Sequence, residues 1–385
     1  MSEKLSREEL AALVGRVFQP GPGDRALAIL VDLPDEKVPD SPLWRERREM
    51  AADWCECLAS LHGRLGLEVH LCLYRNARAN NADLPEKAWL HSGGPLPAGT
   101  ADLDPAAAVP FSDVLRRHSL LIAPTEFSAT APLKIQAKIH RFRAATMPGF
   151  SAAMISALRL DYTEINRRVN ILKGLLDRAE RAELDFSVKE GAEHQLVLDL
   201  RHRTGHASGG LLHEPGVAGN LPSGEAYIVP YEGEVAGQAS ASAGEMPVQF
   251  GNDVVVYRIE QNRARGVAGS GEAVRREARL LDKEPAYGNI AELGLGVLDD
   301  FGVQPCGSIL LDEKLGLHVA FGRSDHFGGQ VGPKQFSKPE AVVHIDRVYV
   351  PSLQPRIRVR RVDLVIPENR VTPLMRDGRF VIRWP

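Results

Sequence analysis

The sequence predicts an α/β plus α+β protein, in which a parallel α/β domain precedes a strand-rich domain. A chain of 385 residues usually forms more than one hydrophobic core. Strand-like and helix-like segments alternate in the first half, which is typical of a parallel sheet covered by helices. After about residue 190, Gly, Pro and Ser become frequent and short strands predominate. We therefore expect an N-terminal domain at residues 1–190 and a C-terminal domain at residues 191–385.

The order of apolar runs predicts the elements of the N-terminal domain. Strands are expected at "RALAILVDLP", "LEVHLCLYR" and "SLLIAP". Helices are expected at the amphipathic N-terminus and at "LWRERREMAADWCECLASLHGRLG", "FSDVLRRH", "APLKIQAKIHRFR" and "TEINRRVNILKGLLDRAERA". In the last of these, Ile165, Val169 and Leu172 recur at helical spacing. The alternation of the two element types favours parallel strands joined by helices.

The C-terminal domain is predicted from short runs rich in β-branched residues between turns. These runs are "HQLVLDLR", "AYIVP", "DVVVYRIE", "GSILLD", "AVVHIDRVYV" and "RIRVRRVDLVI". Val, Ile and Tyr favour strands, and the intervening Gly and Pro favour turns. We therefore expect a domain dominated by strands.

Composition and charge exclude several classes of partner. The 47 basic and 50 acidic residues give a formal net charge of -3, so no nucleic-acid partner is expected. No apolar run approaches the length of a membrane span, and the N-terminus lacks the apolar core of a signal peptide. Four scattered cysteines are too few for a disulfide framework. We expect a cytoplasmic protein with no membrane partner.

The stretch "AVVHIDRVYV" places His344 and Asp346 in an otherwise apolar strand. Side chains alternate between the faces of a strand, so these two point the same way. Acidic side chains are rarely buried unless they are paired or bound to a metal. The pair therefore indicates a candidate ligand site.

Three more stretches embed acids or a histidine in apolar or glycine-rich surroundings. Glu225 lies in "GNLPSGEAYIVP", Glu292 in "NIAELGLGVLDD", and Glu313 and His318 in "LLDEKLGLHVAFG". Each residue alone has an ordinary explanation, such as a turn cap, an exposed charge or a hydrogen-bonded core histidine. Together with His344 and Asp346, they form a set without evident neighbouring partners.

Metal binding suits this set of side chains. Imidazole and carboxylate are ligands for zinc, cobalt, manganese or iron, and thiolate ligands are absent from these stretches. Two histidines and four carboxylates exceed what one tetrahedral ion needs. They suit two ions about 3.5–4 Å apart that share a bridging carboxylate. We expect two divalent ions, zinc, cobalt or manganese, that activate water for attack on a carbonyl group.

The four stretches resemble the signature segments of the thermophilic aminopeptidase T and aminopeptidase S family of metallopeptidases. The matches are "N-L-P-x-G-E-x-(F/Y)-x-x-P" at Glu225, "A-E-L-G-(I/L)-G" at Glu292, "D-E-K-x-x-x-x-H-(I/V)-A-(L/F)-G" at Glu313 and His318, and "H-x-D" at His344 and Asp346. The resemblance covers about residues 140–350. It implies a dinuclear site bridged by Glu292, in a homodimeric hydrolase that cleaves an amide bond of a small molecule or short peptide.

One position departs from the family pattern. Those peptidases place a tyrosine that stabilises the transition state where this chain reads "GRSDHFGG", with Asp325 at the tyrosine position. An ionised aspartate would repel a developing oxyanion, whereas a phenol would donate a hydrogen bond to it. We expect His326, Arg323 or Tyr349 to take this role. The predicted catalytic residues are therefore Glu292, His326 and Tyr349, with Arg323 and Asp325 lining the substrate pocket.

Two alternative functions stay open. The dihydroxypyridine ring-opening dioxygenases, which resemble these peptidases in fold, bind one Fe(II) through two histidines and an aspartate. Here that set would be His318, His344 and Asp346, an arrangement suited to iron and oxygen. The three glutamates would then be surplus and would crowd like charges together. The other alternative is a non-catalytic binding homologue that lost its chemistry with the tyrosine.

Overall fold

The computed structural model describes residues 3–189 and 191–384, which group by their contacts into two compact units. The first unit contains residues 3–166 and 208–223, and the second contains residues 167–189, 191–207 and 224–384. The division predicted at residue 190 differs from this one. The predicted boundary follows the composition, which shows where strands become frequent. The observed boundary follows the contacts, which show the core that each segment packs against.

The helices and strands are numbered in chain order. The α-helices of the described residues are α1 Arg7–Phe18, α2 Pro42–Ala59, α3 His62–Leu65, α4 Phe111–Arg117, α5 Thr130–His140, α6 Ile155–Leu158, α7 Tyr162–Leu176, α8 Glu272–Lys283 and α9 Ile309–Asp312. The strands are β1 Ala26–Leu33, β2 Glu68–Arg75, β3 Lys87–Leu90, β4 Val109–Pro110, β5 Leu120–Ala123, β6 Arg143–Thr146, β7 Arg181–Val188, β8 Glu193–Asp199, β9 His206–Ser208, β10 Ala218–Asn220, β11 Glu225–Ile228, β12 Ala243–Phe250, β13 Asp253–Glu260, β14 Arg263–Ala268, β15 Ile290–Gly296, β16 Leu317–Gly322, β17 His344–Val348, β18 Ile357–Ile366, β19 Arg370–Arg376 and β20 Arg379–Phe380. Within the described residues, none of the helices has both the length and the apolar character needed to cross a membrane.

The first unit is built on a sheet of strand order β10-β6-β5-β1-β2-β3-β4. Its central strands pair in parallel, and β3 and β4 extend one side in antiparallel fashion. Every residue of β1 is buried, as expected for a central strand covered on both faces. The predicted parallel α/β fold of this part of the chain is confirmed.

The second unit contains two antiparallel sheets. One has the order β14-β13-β12-β8-β7-β18-β19-β20 and the other β17-β16-β15-β11-β9. In the smaller sheet, β11, β15, β16 and β17 pair in antiparallel succession. This sheet carries the polar stretches identified in the sequence, and the predicted strand-rich character of the unit is confirmed.

Three predicted elements differ from the structure. Helix α7 ends at Leu176; residues 177–180 of the segment expected to continue it form a turn, and its last two residues begin β7, where buried and half-buried residues alternate along Arg181–Val188. This alternate burial outweighs the helix propensity of its Ala, Glu and Arg residues. Helix α5 likewise ends at His140, before β6. The run "GSILLD" forms α9 instead of a strand, because Asp312 accepts hydrogen bonds from the backbone N–H groups of Cys306 and Gly307 and folds the segment back.

Asp32 is a buried acid near the carboxyl end of β1. It accepts hydrogen bonds from the backbone N–H groups of Glu126 (2.7 Å) and Phe127 (3.0 Å) and from the indole of Trp44 (3.2 Å). Burial nevertheless raises the pKa of Asp32 to about 6. The folded first unit therefore binds a proton here more readily than the unfolded chain does.

We expect the raised pKa of Asp32 to make the folded protein less stable as the pH rises. Between about pH 4 and pH 6 the native state holds the proton that the unfolded state releases, so the free energy of unfolding falls through this window. Between pH 4 and pH 7, the free energy of unfolding measured in urea should fall by up to about 3 kcal/mol more in the wild type than in Asp32→Asn. The exposed Asp83→Asn variant is the matched control. A stability difference between the wild type and Asp32→Asn that stays constant with pH would contradict this prediction.

Candidate metal centre

Five of the predicted ligands lie on one face of the smaller sheet. Glu225 begins β11, Glu292 lies in β15, His318 in β16, and His344 and Asp346 in β17. Residues directly opposite each other in antiparallel strands point to the same side of the sheet. The register therefore brings together side chains that are more than 100 residues apart in the sequence.

Each of these ligands lies opposite a small residue on the neighbouring strand. The opposed pairs are Glu225 with Gly296, His318 with Gly294, Glu292 with Ala320, Asp346 with Ala320, and His344 with Gly322. At Gly294 the missing side chain leaves room for the imidazole of His318 to lean across the strand. At the other two glycines, backbone atoms of Lys314 and Val343 lie where a side chain would stand. A Cβ atom on Gly294 would lie only 1.9 Å from Nε2 of His318. Glycine at this position is therefore required by the close packing of the imidazole.

The ligand atoms form two groups that share one carboxylate. We call Glu225, Glu292 and His318 the first cation position, and Glu292, His344 and Asp346 the second cation position. In each position the ligand atoms lie within 4.8 Å of one another. Oε1 of Glu292 is 3.1 Å from Nε2 of His318, and Oε2 of Glu292 is 3.3 Å from Nε2 of His344. The two oxygens of one carboxylate thus face two different positions, as a bridging ligand requires.

Backbone carbonyl groups fix the orientation of both imidazoles. Nδ1 of His344 donates a hydrogen bond to the carbonyl oxygen of Arg323 at 2.8 Å. Nδ1 of His318 faces the carbonyl oxygen of Gly316 at 3.4 Å. Since a carbonyl can only accept, Nδ1 carries the proton in each ring and Nε2 is directed at the carboxylates. Metal-binding histidines in proteins are commonly held in this way.

Only one carboxylate oxygen of Glu225, Oε2, is free to bind a metal ion. Its side chain is buried, and Oε2 has no hydrogen-bond partner among the residues that the structure describes. That oxygen lies 3.5 Å from Nε2 of His318, and in the second cation position Oδ1 of Asp346 lies 3.6 Å from Nε2 of His344. A buried carboxylate oxygen without a donor is costly unless a cation approaches it. The residues of both positions therefore fit divalent ions.

The other oxygen of Glu225 contacts a lysine that the sequence analysis did not single out. The side chain of Lys314 is fully buried, and its Nζ lies 2.6 Å from Oε1 of Glu225. The same ammonium group also pairs with Glu313. Glu313 thus lies beside the two cation positions but belongs to neither group of ligand atoms. In the sequence, Lys314 follows two acids in "LLDEKLGL" and has the pattern of an exposed charged turn.

The electrostatics of this face favour positive charge. Although burial opposes ionisation, His318 and His344 hold the pKa of the Glu292 carboxyl well below its ordinary value. Burial also disfavours the imidazolium form, yet Glu292 raises the pKa of His318 to about 9. Burial raises the pKa of Glu313 to about 8 despite the ammonium group of Lys314. Protons and a metal ion would therefore compete for the same nitrogen atoms.

The loop after β16 brings three further predicted residues close to the second cation position. Nε of Arg323 pairs with Oδ1 of Asp325 at 2.6 Å, so the aspartate is neutralised locally. The imidazole of His326 lies with its centroid 5.3 Å from that of His344. Burial, together with repulsion from His344, lowers the pKa of His326 to about 4. His326 is therefore a neutral imidazole beside the cluster.

Aromatic rings that the sequence analysis missed adjoin the same loop. Tyr227 lies two residues after Glu225 in β11, so it shares the ligand face. Its ring stacks on His206 at 5.0 Å and meets the ring of Phe327 edge-on at 4.9 Å. Phe327 in turn lies 5.5 Å from His344. The period-two spacing from Glu225 was the available signal for Tyr227.

Tyr349 is not brought to the cluster. Its hydroxyl donates a hydrogen bond to the carbonyl oxygen of Pro247 at 2.8 Å, and its ring packs against Phe186 at 4.9 Å. Both contacts fix the phenol within the apolar core of the second unit. The geometry gives no support to the predicted catalytic role of Tyr349.

Comparisons with known proteins identify the fold. No family model matches the sequence, and no curated protein matches it. Among solved structures, 2,5-dihydroxypyridine dioxygenase from Pseudomonas putida KT2440 is similar with a TM-score of 0.60 and 16% identity, covering 98% of this chain and 99% of that chain. Wild-type AmpT from Thermus thermophilus, an aminopeptidase T, is similar with a TM-score of 0.52 and 18% identity over the same shares. The chain shares its fold with both an aminopeptidase and a dioxygenase.

We expect Gly294→Ala to disturb metal binding more than folding. The added methyl group would meet Nε2 of His318 at 1.9 Å and force the imidazole away from the first cation position. Metal affinity in calorimetric titration should fall by about 10- to 100-fold, the range seen when ligand orientation is lost. Gly174→Ala, which meets nothing within 4 Å in α7, is the matched control and should bind metal normally. Normal metal affinity in Gly294→Ala would contradict the proposed packing role.

Proposed function

We propose that this chain is a metal-dependent hydrolase, similar to an aminopeptidase, that uses two divalent ions to cleave an amide bond. The observation that carries this proposal is the placement of Glu292, whose two oxygens face His318 and His344 at 3.1 Å and 3.3 Å. Such a carboxylate suits two neighbouring ions better than one. Zinc, cobalt and manganese all accept this set of nitrogen and oxygen ligands.

The chain supplies ligands for both ions. Glu225, Glu292 and His318 would hold one ion, and Glu292, His344 and Asp346 the other. When bound, the ions would lower the pKa of water towards neutrality and polarise the substrate carbonyl. Glu292 would be shared by both ions, so its proposed catalytic role is to hold the two cation positions together rather than to accept a proton.

The loop beside the cluster is proposed to bind the substrate. His326, held neutral by burial and by His344, can donate a hydrogen bond to the substrate carbonyl in place of the family tyrosine. Arg323 and Asp325 form an ion pair that is about one-third exposed, so both remain available to polar groups of a small molecule or short peptide. The proposed homodimer follows from the family resemblance alone.

Removal of metal should abolish the proposed activity. Treatment of the full chain with a chelator should eliminate turnover of amino-acid amides and short peptides, because the ligands alone cannot activate water at neutral pH. Zinc, cobalt or manganese should restore turnover of the wild type but not of Glu292→Gln. Turnover that resists the chelator would count against a metal-dependent hydrolase.

His326 should matter for turnover, and Tyr349 should not. We expect His326→Ala to lower kcat by about 100-fold, the cost of removing one donor to a developing oxyanion, with a smaller effect on KM. Tyr349→Phe should keep wild-type kcat, since its hydroxyl is bonded to Pro247. Steady-state kinetics on a single amide substrate compares the two variants. Equal kcat values for His326→Ala and the wild type would remove His326 from the mechanism.

A ring-cleaving dioxygenase with one Fe(II) is the second candidate, and Lys314 favours it. In this alternative His318, His344 and Asp346 would hold the iron. Carboxylates that do not bind the iron would repel one another in this alternative. The buried ammonium group of Lys314 reduces that repulsion, because it neutralises part of the charge of Glu225 and Glu313. Metal analysis separates the candidates: two ions per chain support the hydrolase, and one iron with oxygen uptake on a dihydroxypyridine supports the dioxygenase.

A further inference from the structure

We propose that Lys314 makes the two cation positions unequal, so that the second cation position binds a divalent ion first and more tightly. The ammonium group beside Glu225 weakens the first cation position, whose occupancy then depends on metal concentration. This inference rests on the proposed use of divalent ions but not on which reaction they serve. Lys314 is a positioning residue in this account, because it acts on the ions through Glu225.

The location of Lys314 is fixed by backbone packing. A Cβ atom added to Gly296 of β15 would lie 2.1 Å from the carbonyl carbon of Lys314, so the turn that carries Lys314 lies directly on that strand. The N–H of Gly296 also donates to the carbonyl oxygen of Gly316 at 2.8 Å, which holds the far end of the turn. Gly296 is in turn the residue opposite Glu225 in the register. The backbone thus presents the lysine to Glu225.

The ammonium group cannot readily leave this place. Its side chain has no exposed surface, and the two carboxylates that it contacts are themselves mostly buried, at 10% and 15% exposure for Glu225 and Glu313. Removing the ammonium from both partners would leave an uncompensated charge in the interior, which is strongly unfavourable. Lys314 is therefore a built-in cation at the edge of the first cation position.

The two positions consequently differ in charge. Each contains two carboxylates and one imidazole, with Glu292 common to both. Glu225 is bonded to Lys314 at 2.6 Å, whereas no lysine or arginine pairs with Asp346 within residues 3–189 and 191–384. An incoming dication is repelled by the ammonium at the first position, whereas the cationic group near the second, Arg323, is paired with Asp325. For unit charges a few ångströms apart near a protein surface, this difference is on the order of 100-fold or more in affinity.

The alternative is that Lys314 serves folding alone, by compensating two buried acids. The two accounts predict different measurements. A purely structural lysine would change stability when replaced and leave the ratio of the two metal affinities unaltered. A lysine that sets the order of binding would change that ratio.

Stepwise metal titration of the full, metal-free chain tests the inference. Isothermal titration with Mn²⁺ should give two steps for the wild type, the second weaker by on the order of 100-fold. Electron paramagnetic resonance should show isolated Mn²⁺ at one equivalent and a coupled pair only in excess metal. In Lys314→Met, which keeps the length of the side chain, the weaker step should strengthen until the two differ by less than about 10-fold. The exposed Lys283→Met is the matched control and should leave both steps unchanged.

Two ligand variants assign the steps without relying on Lys314→Met to fold. Glu225→Gln should remove the weaker step and Asp346→Asn the tighter one; the reverse assignment would overturn the inference. Two steps of equal affinity in the wild type, or an unchanged ratio in a folded Lys314→Met, would overturn it while leaving the proposed function intact. Failure of the wild type to bind any divalent ion would overturn both.

Discussion

Neutralisation of buried negative charge is the constraint on which the second unit depends. Glu225, Glu292, Glu313 and Asp346 lie together beside one sheet face, where water cannot compensate them fully. Isolated carboxylates in such a place would protonate or destabilise the fold. Two imidazoles and one ammonium group supply opposing positive charge. The negative charge that they do not neutralise favours the binding of further cations. The same electrostatic balance that permits folding therefore leaves a group of side chains that fits metal ions.

The antiparallel register of the strands fixes where these charged side chains lie relative to one another. A shift of one residue in β16 or β17 would turn His318, or His344 with Asp346, to the opposite face and separate them from Glu292. The pairing of β15 with β16 is irregular between Ile290 and Glu292. Irregularities of this kind re-aim individual side chains and are common beside functional sites. Strand pairing thus decides which residues meet, and local irregularity adjusts where the bridging carboxylate points.

The sequence was sufficient for the parts of this arrangement that depend on local spacing. Period-two alternation placed His344 and Asp346 on one face, and acids within apolar runs identified Glu225 and Glu292. Lys314 is part of the quoted "D-E-K" segment but was given no role, because it adjoins Asp312 and Glu313 and such a run normally lies in solvent. Its burial is set by the packing of its turn on Gly296 of an earlier strand. The hydrogen bond of Tyr349 with Pro247 joins residues 102 positions apart, so local spacing could not predict it. The division into units likewise depends on contacts that composition does not encode.

The glycine opposite His318 has a consequence for tracing descent. Gly294 has no chemical role of its own, and it is required because the imidazole of His318 lies against it. A homologue that had lost this imidazole would be free to carry a larger residue at position 294, even if some acids survived by chance. Positions 296 and 322 carry no such information, because backbone atoms of Lys314 and Val343 lie against them. The occupant of position 294 is therefore a historical record of whether a lineage keeps this histidine packed over the strand, legible from sequence before any assay is attempted.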